Sequence, residues 1–251
     1  MAKCYALYTG GNQPRSGASV PDPIDRPRPG AGRAPSGEAG AGEDRLSLGD
    51  DLAATILEEL QPLRFGEAED LCEREACFRL RYRAVLEMGM AAAEQFPDGL
   101  EHDEFDAGAV QILGRDQVNI IATGRLVLPK SGGRLPAEQE FGLRLAGGLD
   151  VVELGRVVVD PGYRGDGHSV FMGLAAQAWL SMRARGFTAA IAATTQRMIR
   201  LLEAIGFTVT VLGPPLPYWG EERYPIICDG RPAIPGIERH WLAGGTDVPP
   251  V

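Results

Sequence analysis

The passage around residue 165 constrains the fold of this chain more than any other. A β-branched run, Val157–Val159, leads through a glycine-rich turn into an apolar segment that is typical of a helix and begins at Ser169. In such a turn the unpaired N–H groups and the positive end of the helix dipole point to one spot. Glycine permits close approach of a ligand, and Arg164 adds a forked cation. The pattern predicts a phosphate-binding turn, or else an ordinary strand-to-helix connection without a ligand.

Helical and strand-like patterns alternate through the middle of the chain. This alternation predicts a single α/β domain with a mixed sheet. The apolar spacing predicts helices at 67–90, 169–185 and 196–205 and strands at 110–113, 119–128, 151–160, 187–193, 207–212 and 224–228.

The two ends of the chain are richer in proline and glycine than the middle. Residues 1–49 hold too few large apolar side chains to offset the entropy of ordering them, which predicts a disordered tail. Asp50 is the expected N-cap of the first helix, and a single domain is predicted for 50–230. Residues 231–251 are expected to form an irregular C-terminal tail.

Charge and composition exclude several classes of function. The 34 acidic and 25 basic residues give a net charge of -9, which argues against a broad nucleic-acid surface. There is no apolar run of about 18 residues, so no membrane span is expected. The four cysteines form no CxxC pair, and no metal site is predicted. The first residues lack the pattern of a secretory signal, so a cytoplasmic protein is expected.

Two motifs, in order along the chain, carry a family resemblance. Arg164-x-x-Gly167-x-Ser169 resembles the pyrophosphate loop of the GCN5-related N-acyltransferase superfamily, and the run from Arg200 to Phe207 resembles its helix that ends in a Gly-Phe step. The resemblance implies a twisted, mostly antiparallel sheet with one splayed strand pair, flanked by helices. It also implies that the arm of an acyl donor binds at Val157, Val159, Arg164, Gly165, Gly167, His168 and Ser169.

A second ordered set of residues resembles the signature positions of acyl-homoserine-lactone synthases and N-acyl amino acid synthases. Its members are Arg81, Asp103, Asp106, Arg125, Phe141, Glu153 and Arg156. The resemblance implies catalytic roles for Glu153 as the base, for Arg125 and Arg156 as carboxylate-binding or carboxylate-holding cations, and for Asp103 and Asp106 as residues that order the acceptor site.

Physical reasoning supports part of this assignment. On a regular strand Glu153 and Arg156 would face opposite sides, and Gly155 between them is a natural position for a bulge that turns one of them around. Where the strand splays, free N–H groups from Val157 to Val159 could polarise a thioester carbonyl. A structural ion pair made by Glu153 is the competing interpretation. The tyrosine that often serves as the acid in the superfamily is absent at Leu201–Leu202, which leaves Tyr218 and Tyr224 as substitutes by residue type alone.

The resemblance implies an enzyme that moves a fatty acyl group from acyl carrier protein or coenzyme A to the α-amine of an amino-acid-type acceptor. It could make an N-acyl-homoserine lactone from S-adenosylmethionine or an N-acyl amino acid, with no tightly bound cofactor. An acetyl-CoA-dependent N-acetyltransferase and a non-catalytic acyl-binding module are the alternatives. An acidic carrier protein would contact a basic surface formed by Arg79, Arg81 and Arg83, or by Arg183 with Arg185.

Overall fold

The computed structural model describes residues 36–130, 133–145, 151–164 and 168–244. The helices are α1 (Ser36–Glu59), α2 (Leu71–Glu87), α3 (Pro136–Glu140), α4 (Ser169–Arg183), α5 (Gln196–Ala204) and α6 (Gly230–Leu242). The strands are β1 (Arg64–Glu67), β2 (Val110–Arg115), β3 (Ile120–Val127), β4 (Val151–Val159), β5 (Ala189–Thr194), β6 (Val209–Val211), β7 (Leu216–Tyr218) and β8 (Glu221–Asp229).

The strands form an open sheet in which all but one of the neighbouring pairs are antiparallel. The order is β1-β2-β3-β4-β5-β8-β6, and β7 pairs with β8. The parallel pair, β4 with β5, is joined only from Val151 to Glu153, opposite Ala189 to Ile191, although both strands continue further. The sheet therefore opens after Glu153. The predicted fold, a mostly antiparallel sheet with a splayed strand pair and flanking helices, is confirmed.

Helices α2 and α4 cover opposite faces of the sheet. Because side chains alternate along a strand, Arg125 on β3 shares a face with Glu153 on β4, and α2 packs on that face through residues such as Leu80 and Ala84. On the other face, α4 packs its buried residues against the core of β2 and β3, which includes Ile112 and Ala122. The sheet thus carries a polar face under α2 and an apolar face under α4.

A further helical layer, formed by α1, α5 and α6, packs on α4. Its contacts include Ile56 of α1 and Ile205 at the end of α5, which bury Met172 and Ala176 of α4. Gly206, at φ 98°, lets the end of α5 approach α6 so closely that an added Cβ would collide with the Gly236 backbone. This contact explains the glycine of the Gly-Phe step.

Both predicted tails are partly helical. Helix α1 begins at Ser36, so Asp50 is not its N-cap. Asp50 lies inside the helix, where its Oδ1 accepts a hydrogen bond from Trp179 Nε1 at 2.7 Å and its carboxylate binds Arg183. The expectation of an irregular tail after residue 230 is wrong for α6, because Ile237 and Trp241 pack against this helical layer despite the nearby prolines. Residues 1–35 and 245–251 lie outside the described residues.

None of the helices in the described ranges is long and apolar enough to cross a membrane.

Candidate active site

Glu153 lies where the sheet opens, as the last residue of β4 that pairs with β5. Its side chain is buried, with only 6% of the residue exposed, and Oε2 accepts a hydrogen bond from the Ala137 N–H in α3 at 2.7 Å. Burial raises the pKa of Glu153 to about 7, although the Ala137 N–H and the charges of Arg125 and Arg156 oppose the rise. A carboxyl group with this pKa can accept a proton near neutral pH.

Next to Glu153, on the same face of the sheet, lies a buried network of three arginines and three carboxylates. Arg81 of α2, which is 1% exposed, forms its centre. Its Nε donates to Glu101, and its two Nη atoms donate to the two oxygens of Asp106 at 2.8 and 3.1 Å. Gln111 Nε2 also donates to Asp106 Oδ1 at 2.9 Å. Burial opposes ionisation of Asp106, but the hydrogen bonds and charge of Arg81 prevail and hold its pKa well below the ordinary value.

Arg125 and Arg156 connect the same carboxylates to the sheet. Arg125 Nη1 donates to Asp103 at 2.5 Å and to Asp106 at 3.0 Å. Arg156 donates from Nε to Glu101 and from Nη2 to Asp103, each at 3.0 Å. Of the two roles expected for these arginines, the observed contacts are those of cations that hold the acidic residues.

The members of this network differ in how far they reach solvent. The side chains of Asp103 and Arg156 are 23% and 16% exposed, whereas Asp106 and Arg125 are buried. Asp103 and Arg156 are therefore the members that an incoming substrate could touch. Asp106 lies too deep for direct contact, and its expected role in ordering the acceptor site stays a prediction.

A bulge in β4 turns Arg156 toward this network. Gly155 is opposite Arg125 and Val158 is opposite Thr123, so two residues of β4 face the single residue between them on β3. Arg156 is one of the two and has a left-handed backbone, with φ 52°. The bulge was expected at Gly155, and the left-handed residue is instead the next one. A left-handed residue other than glycine costs about 1 kcal/mol or more, and the ion pairs of Arg156 offset this cost.

The open edge of β4 runs from this bulge toward the predicted phosphate-binding turn. Asp160 N–H donates to Ile121 O at 2.8 Å on β3. Since N–H directions alternate along an antiparallel strand, the N–H of Val159 points to the other edge, where β5 has separated. Val157, in the bulge, is partly exposed. These are the two amide positions that the sequence predicted for the donor.

The residues flanking the turn are described, whereas Gly165 and Gly167 lie outside the described residues. Arg164 Nε donates to Val159 O at 2.8 Å, and its Nη atoms lie 3.3 and 3.4 Å from the Glu87 carboxylate of α2. His168, with φ 65°, precedes Ser169 at the start of α4. The Nδ1 atom of His168 is buried and has no hydrogen-bond partner in the described part of the chain.

Between α2 and the end of β4 lies a cavity of about 350 Å³. Its lining residues are Leu80, Arg83, Ala84, Glu87, Val158, Asp160, Pro161 and Arg164. The cavity adjoins the flank of the turn and the open edge of β4. The predicted site residues thus form two groups, one around Glu153 and one around Arg164, and the edge of β4 joins them.

The structure changes the set of arginines that could contact a carrier protein. Arg81 is buried, so it cannot contact a carrier protein, and Arg183 and Arg185 are occupied by Asp50 and Glu67. Arg79 and Arg83 are exposed on α2.

The two tyrosines considered as acids also differ in position. Tyr218 lies beside Phe141, with ring centroids 6.1 Å apart, and its side chain is close enough to interact with Arg156. Tyr224 is opposite Thr194, at the far end of β5. Tyr218 is therefore the one that belongs to the site.

Three residues of the site were missed from the sequence: Glu101, Gln111 and Trp219. Glu101 could have been found from charge balance, because the arginines at 81, 125 and 156 need a third carboxylate beside Asp103 and Asp106. No pattern in the sequence indicates Gln111. Trp219 lies over the Arg156 guanidinium, with the ring centroid 4.5 Å from Cζ.

Comparison with known proteins agrees with this architecture. The sequence model of a family described as N-acyl amino acid synthase FeeM matches residues 76–222, more than half of the chain. A search of curated protein sequences gives no match.

Three solved structures illustrate the shared fold. The acyl-homoserine-lactone synthase LasI is 18% identical, with a TM-score of 0.56 over 75% of this chain and 98% of its own. The CoA-dependent acyl-homoserine lactone synthase BjaI, solved with SAM and isopentyl-CoA, is 20% identical, with a TM-score of 0.55 over 71% of this chain and 87% of its own. FeeM from uncultured soil microbes is 16% identical, with a TM-score of 0.51 over 74% of this chain and 98% of its own.

Proposed function

Because the chain belongs to the family of the N-acyl amino acid synthase FeeM, and is therefore an acyltransferase, we propose that it moves a fatty acyl group from a thioester to the α-amine of an amino acid. One observation carries this proposal. Glu153, the buried carboxyl with a pKa of about 7, lies at the residue where β4 and β5 separate. A proton acceptor is thus located at the opening of the sheet, where a thioester could be held against a free strand edge.

The acceptor would bind on the outward side of the buried network. The partly exposed Asp103 attracts the ammonium group of the acceptor, and Glu153 takes the proton that must leave before the amine can attack. The partly exposed Arg156 side chain is proposed to attract the acceptor carboxylate. Asp106, Arg81 and Glu101 keep these groups in position.

The transfer itself forms an N–C and an S–H bond and breaks a C–S and an N–H bond. The amine nitrogen bonds to the thioester carbonyl carbon and releases one proton to solvent, the carbon–sulfur bond breaks, and the leaving thiolate takes up a proton to become the thiol. Amides along the open edge of β4, beginning with Val157, would stabilise the oxyanion that forms on the carbonyl oxygen. Tyr218 is the residue we propose as the proton donor to the leaving thiolate, because it lies beside Arg156 within the site.

The donor arm would lie along β4 with its phosphate at the turn from Arg164 to Ser169. The N-terminus of α4 and the buried Nδ1 of His168, which has no partner among the described residues, provide hydrogen-bonding groups there, and the adjoining cavity of about 350 Å³ has room for part of the arm. Coenzyme A and acyl carrier protein share this phosphopantetheine arm. Of the predicted carrier surface, Arg79 and Arg83 remain exposed on α2, and Arg83 makes one long ion pair with Asp160, at 3.5 Å. Both donors are found in the cytoplasm, and a cytoplasmic location stays a prediction.

Product analysis tests the proposal. Purified protein would receive either long-chain acyl-CoA or long-chain acyl carrier protein with a panel of amino acids or with S-adenosylmethionine, and mass spectrometry would identify the product. We expect an N-acyl amino acid in the wild type and at least a hundredfold lower rate in Glu153→Gln. Glu140→Gln, the same change at an exposed position of α3, serves as the control.

Other outcomes would redirect the assignment. Formation of an N-acyl-homoserine lactone with S-adenosylmethionine, and of no product with amino acids, would show that the acceptor is S-adenosylmethionine, as for lactone synthases. Exclusive use of acetyl-CoA would refute the fatty acyl donor. Binding of acyl donors without turnover on any amine would contradict catalysis and favour an acyl-binding module.

A further inference from the structure

The turn between β7 and β8 has an unusual residue for its geometry. Trp219 and Gly220 form this two-residue connection, and both have positive φ angles, 55° and 75°. A hairpin turn with two such residues is normally built from Asn-Gly or Gly-Gly, since a bulky side chain is strained in the left-handed region. A tryptophan in this position therefore needs a compensating contact.

That contact is with a second strained residue. The Trp219 ring lies over the Arg156 guanidinium at 4.5 Å, and Arg156 itself has φ 52° in the β4 bulge. Three non-glycine residues in the described ranges have positive φ, and two of them are this stacked pair. Stacking of a guanidinium on tryptophan is favourable, and it fixes the plane of the guanidinium as well as its position.

The same ring also bounds a second cavity. This cavity, of about 240 Å³, is lined by Met90, Ala91, Gln95, Phe96, Tyr218 and Trp219. Trp219 therefore lies between this cavity and Arg156, which in turn holds Asp103 at 3.0 Å. The T-shaped contact of Tyr218 with Phe141 anchors the base of the hairpin.

We propose that Trp219 is a positioning residue for the acceptor. By stacking on Arg156 it fixes the guanidinium that orients Asp103, and so it sets the place where the acceptor amine and carboxylate meet the enzyme. This inference rests on the proposed function. Because the Arg164 group lies at the other end of the open β4 edge, the contribution of Trp219 falls on the acceptor and leaves donor binding unchanged.

Three variants separate positioning from a merely structural role. Trp219→Leu removes the ring, Trp219→Asn removes the ring and also suits the left-handed turn, and Trp219→Phe keeps a ring. We expect kcat/KM for the acceptor to fall at least tenfold in both the Leu and Asn variants while the donor KM stays within twofold. The Phe variant should recover at least a third of the wild-type value. Trp241→Leu, which removes a tryptophan of α6 away from the site, is the control for loss of stability alone.

The Asn variant decides between the two roles. It should have a higher Tm than the Leu variant because it relieves the turn, yet it should be equally impaired toward the acceptor. Acceptor kcat/KM that instead follows Tm across the series, or a donor KM that rises as much as the acceptor KM, would overturn the proposal.

A measurement independent of turnover examines the contact itself. The Nε–Hε NMR signal of Arg156, identified by its loss in Arg156→Lys, should be displaced by the ring current of Trp219. It should move in Trp219→Leu and stay close to its place in Trp219→Phe. An Arg156 signal unchanged in Trp219→Leu refutes the stacking. If the wild type makes no acylated product, the proposed function fails, whereas an active wild type with an equally active Leu variant refutes only the role of Trp219.

Discussion

Replacing Glu153 by glutamine should remove catalysis and at the same time stabilise the protein in a pH-dependent way. Burial raises the pKa of Glu153 from an ordinary value of 4.5 to about 7. Since one pKa unit corresponds to about 1.4 kcal/mol, keeping this carboxylate ionised in the folded state costs roughly 3 kcal/mol above pH 7. Glutamine has nearly the shape of the protonated carboxyl group, and its side-chain oxygen can still accept the Ala137 N–H.

The direction of the pH dependence follows from proton binding. The folded state retains a proton on Glu153 that the unfolded state has already lost, so the stability that this proton contributes is complete below pH 4.5. It declines as the pH rises and is gone above about 7. The variant carries no such group. We therefore expect Glu153→Gln and the wild type to have similar free energies of unfolding near pH 4.5, and the variant to be more stable above pH 7 by roughly 3 kcal/mol.

Urea denaturation followed by circular dichroism at pH 5, 6, 7 and 8 measures this difference. The other buried carboxylates, such as Asp106, titrate in both proteins, so their contributions cancel in the comparison. Glu140→Gln should show no pH-dependent difference from the wild type. A constant difference for Glu153→Gln across this range, or a variant less stable than the wild type at pH 8, would refute the assignment of a raised pKa to Glu153.

Three further predictions concern catalysis and the buried network. The wild-type kcat/KM should increase with pH to a plateau, with an apparent pKa near 7, as Glu153 loses its proton; a profile that is flat from pH 5 to 8 would contradict its role as base. Arg164→Ala should raise the donor KM about tenfold and leave the acceptor KM within twofold, whereas Arg185→Ala, at another arginine–glutamate pair, should change neither. Asp106→Asn should lower the free energy of unfolding by roughly 3 kcal/mol, because the buried cations Arg81 and Arg125 would lose the carboxylate that neutralises them. A decrease below about 1 kcal/mol in urea denaturation would refute this prediction.

Local sequence patterns predicted those elements whose ends have clear chemical signals. The predicted helix at 196–205 is one residue longer than α5, and the predicted strand at 119–128 extends one residue beyond β3 at each end. Strand β1 was not predicted, and its last residue, Glu67, was assigned to a helix, because four residues are too few to display an alternating pattern. Helix α6 was missed because its prolines suggested an irregular chain, and long-range packing of Trp241 and Ile237 outweighs that local signal.

The sequence indicated the residue types of the candidate site, but it indicated few of the contacts between them. Glu153, Arg125 and Arg156 were identified from the sequence, and the structure brings them to one face of the sheet. The partners of Arg156 are 55 and 53 residues away in Glu101 and Asp103, and no local pattern specifies a contact over such a separation. The exact position of the bulge also depends on these partners, because they compensate a backbone conformation that the arginine would not adopt by itself.

The short parallel pairing between β4 and β5 has a mechanical consequence. Among the described strands, the segment from Val151 to Glu153 makes the only sheet pairing between β1–β4 and the strands that follow, so the sheet consists of two leaves joined along three residues. A thioester arm bound in the gap would bridge the leaves. Amide hydrogen exchange on either side of the gap should then slow together when a donor is added, since the opening that exposes one leaf would have to release the bridging ligand.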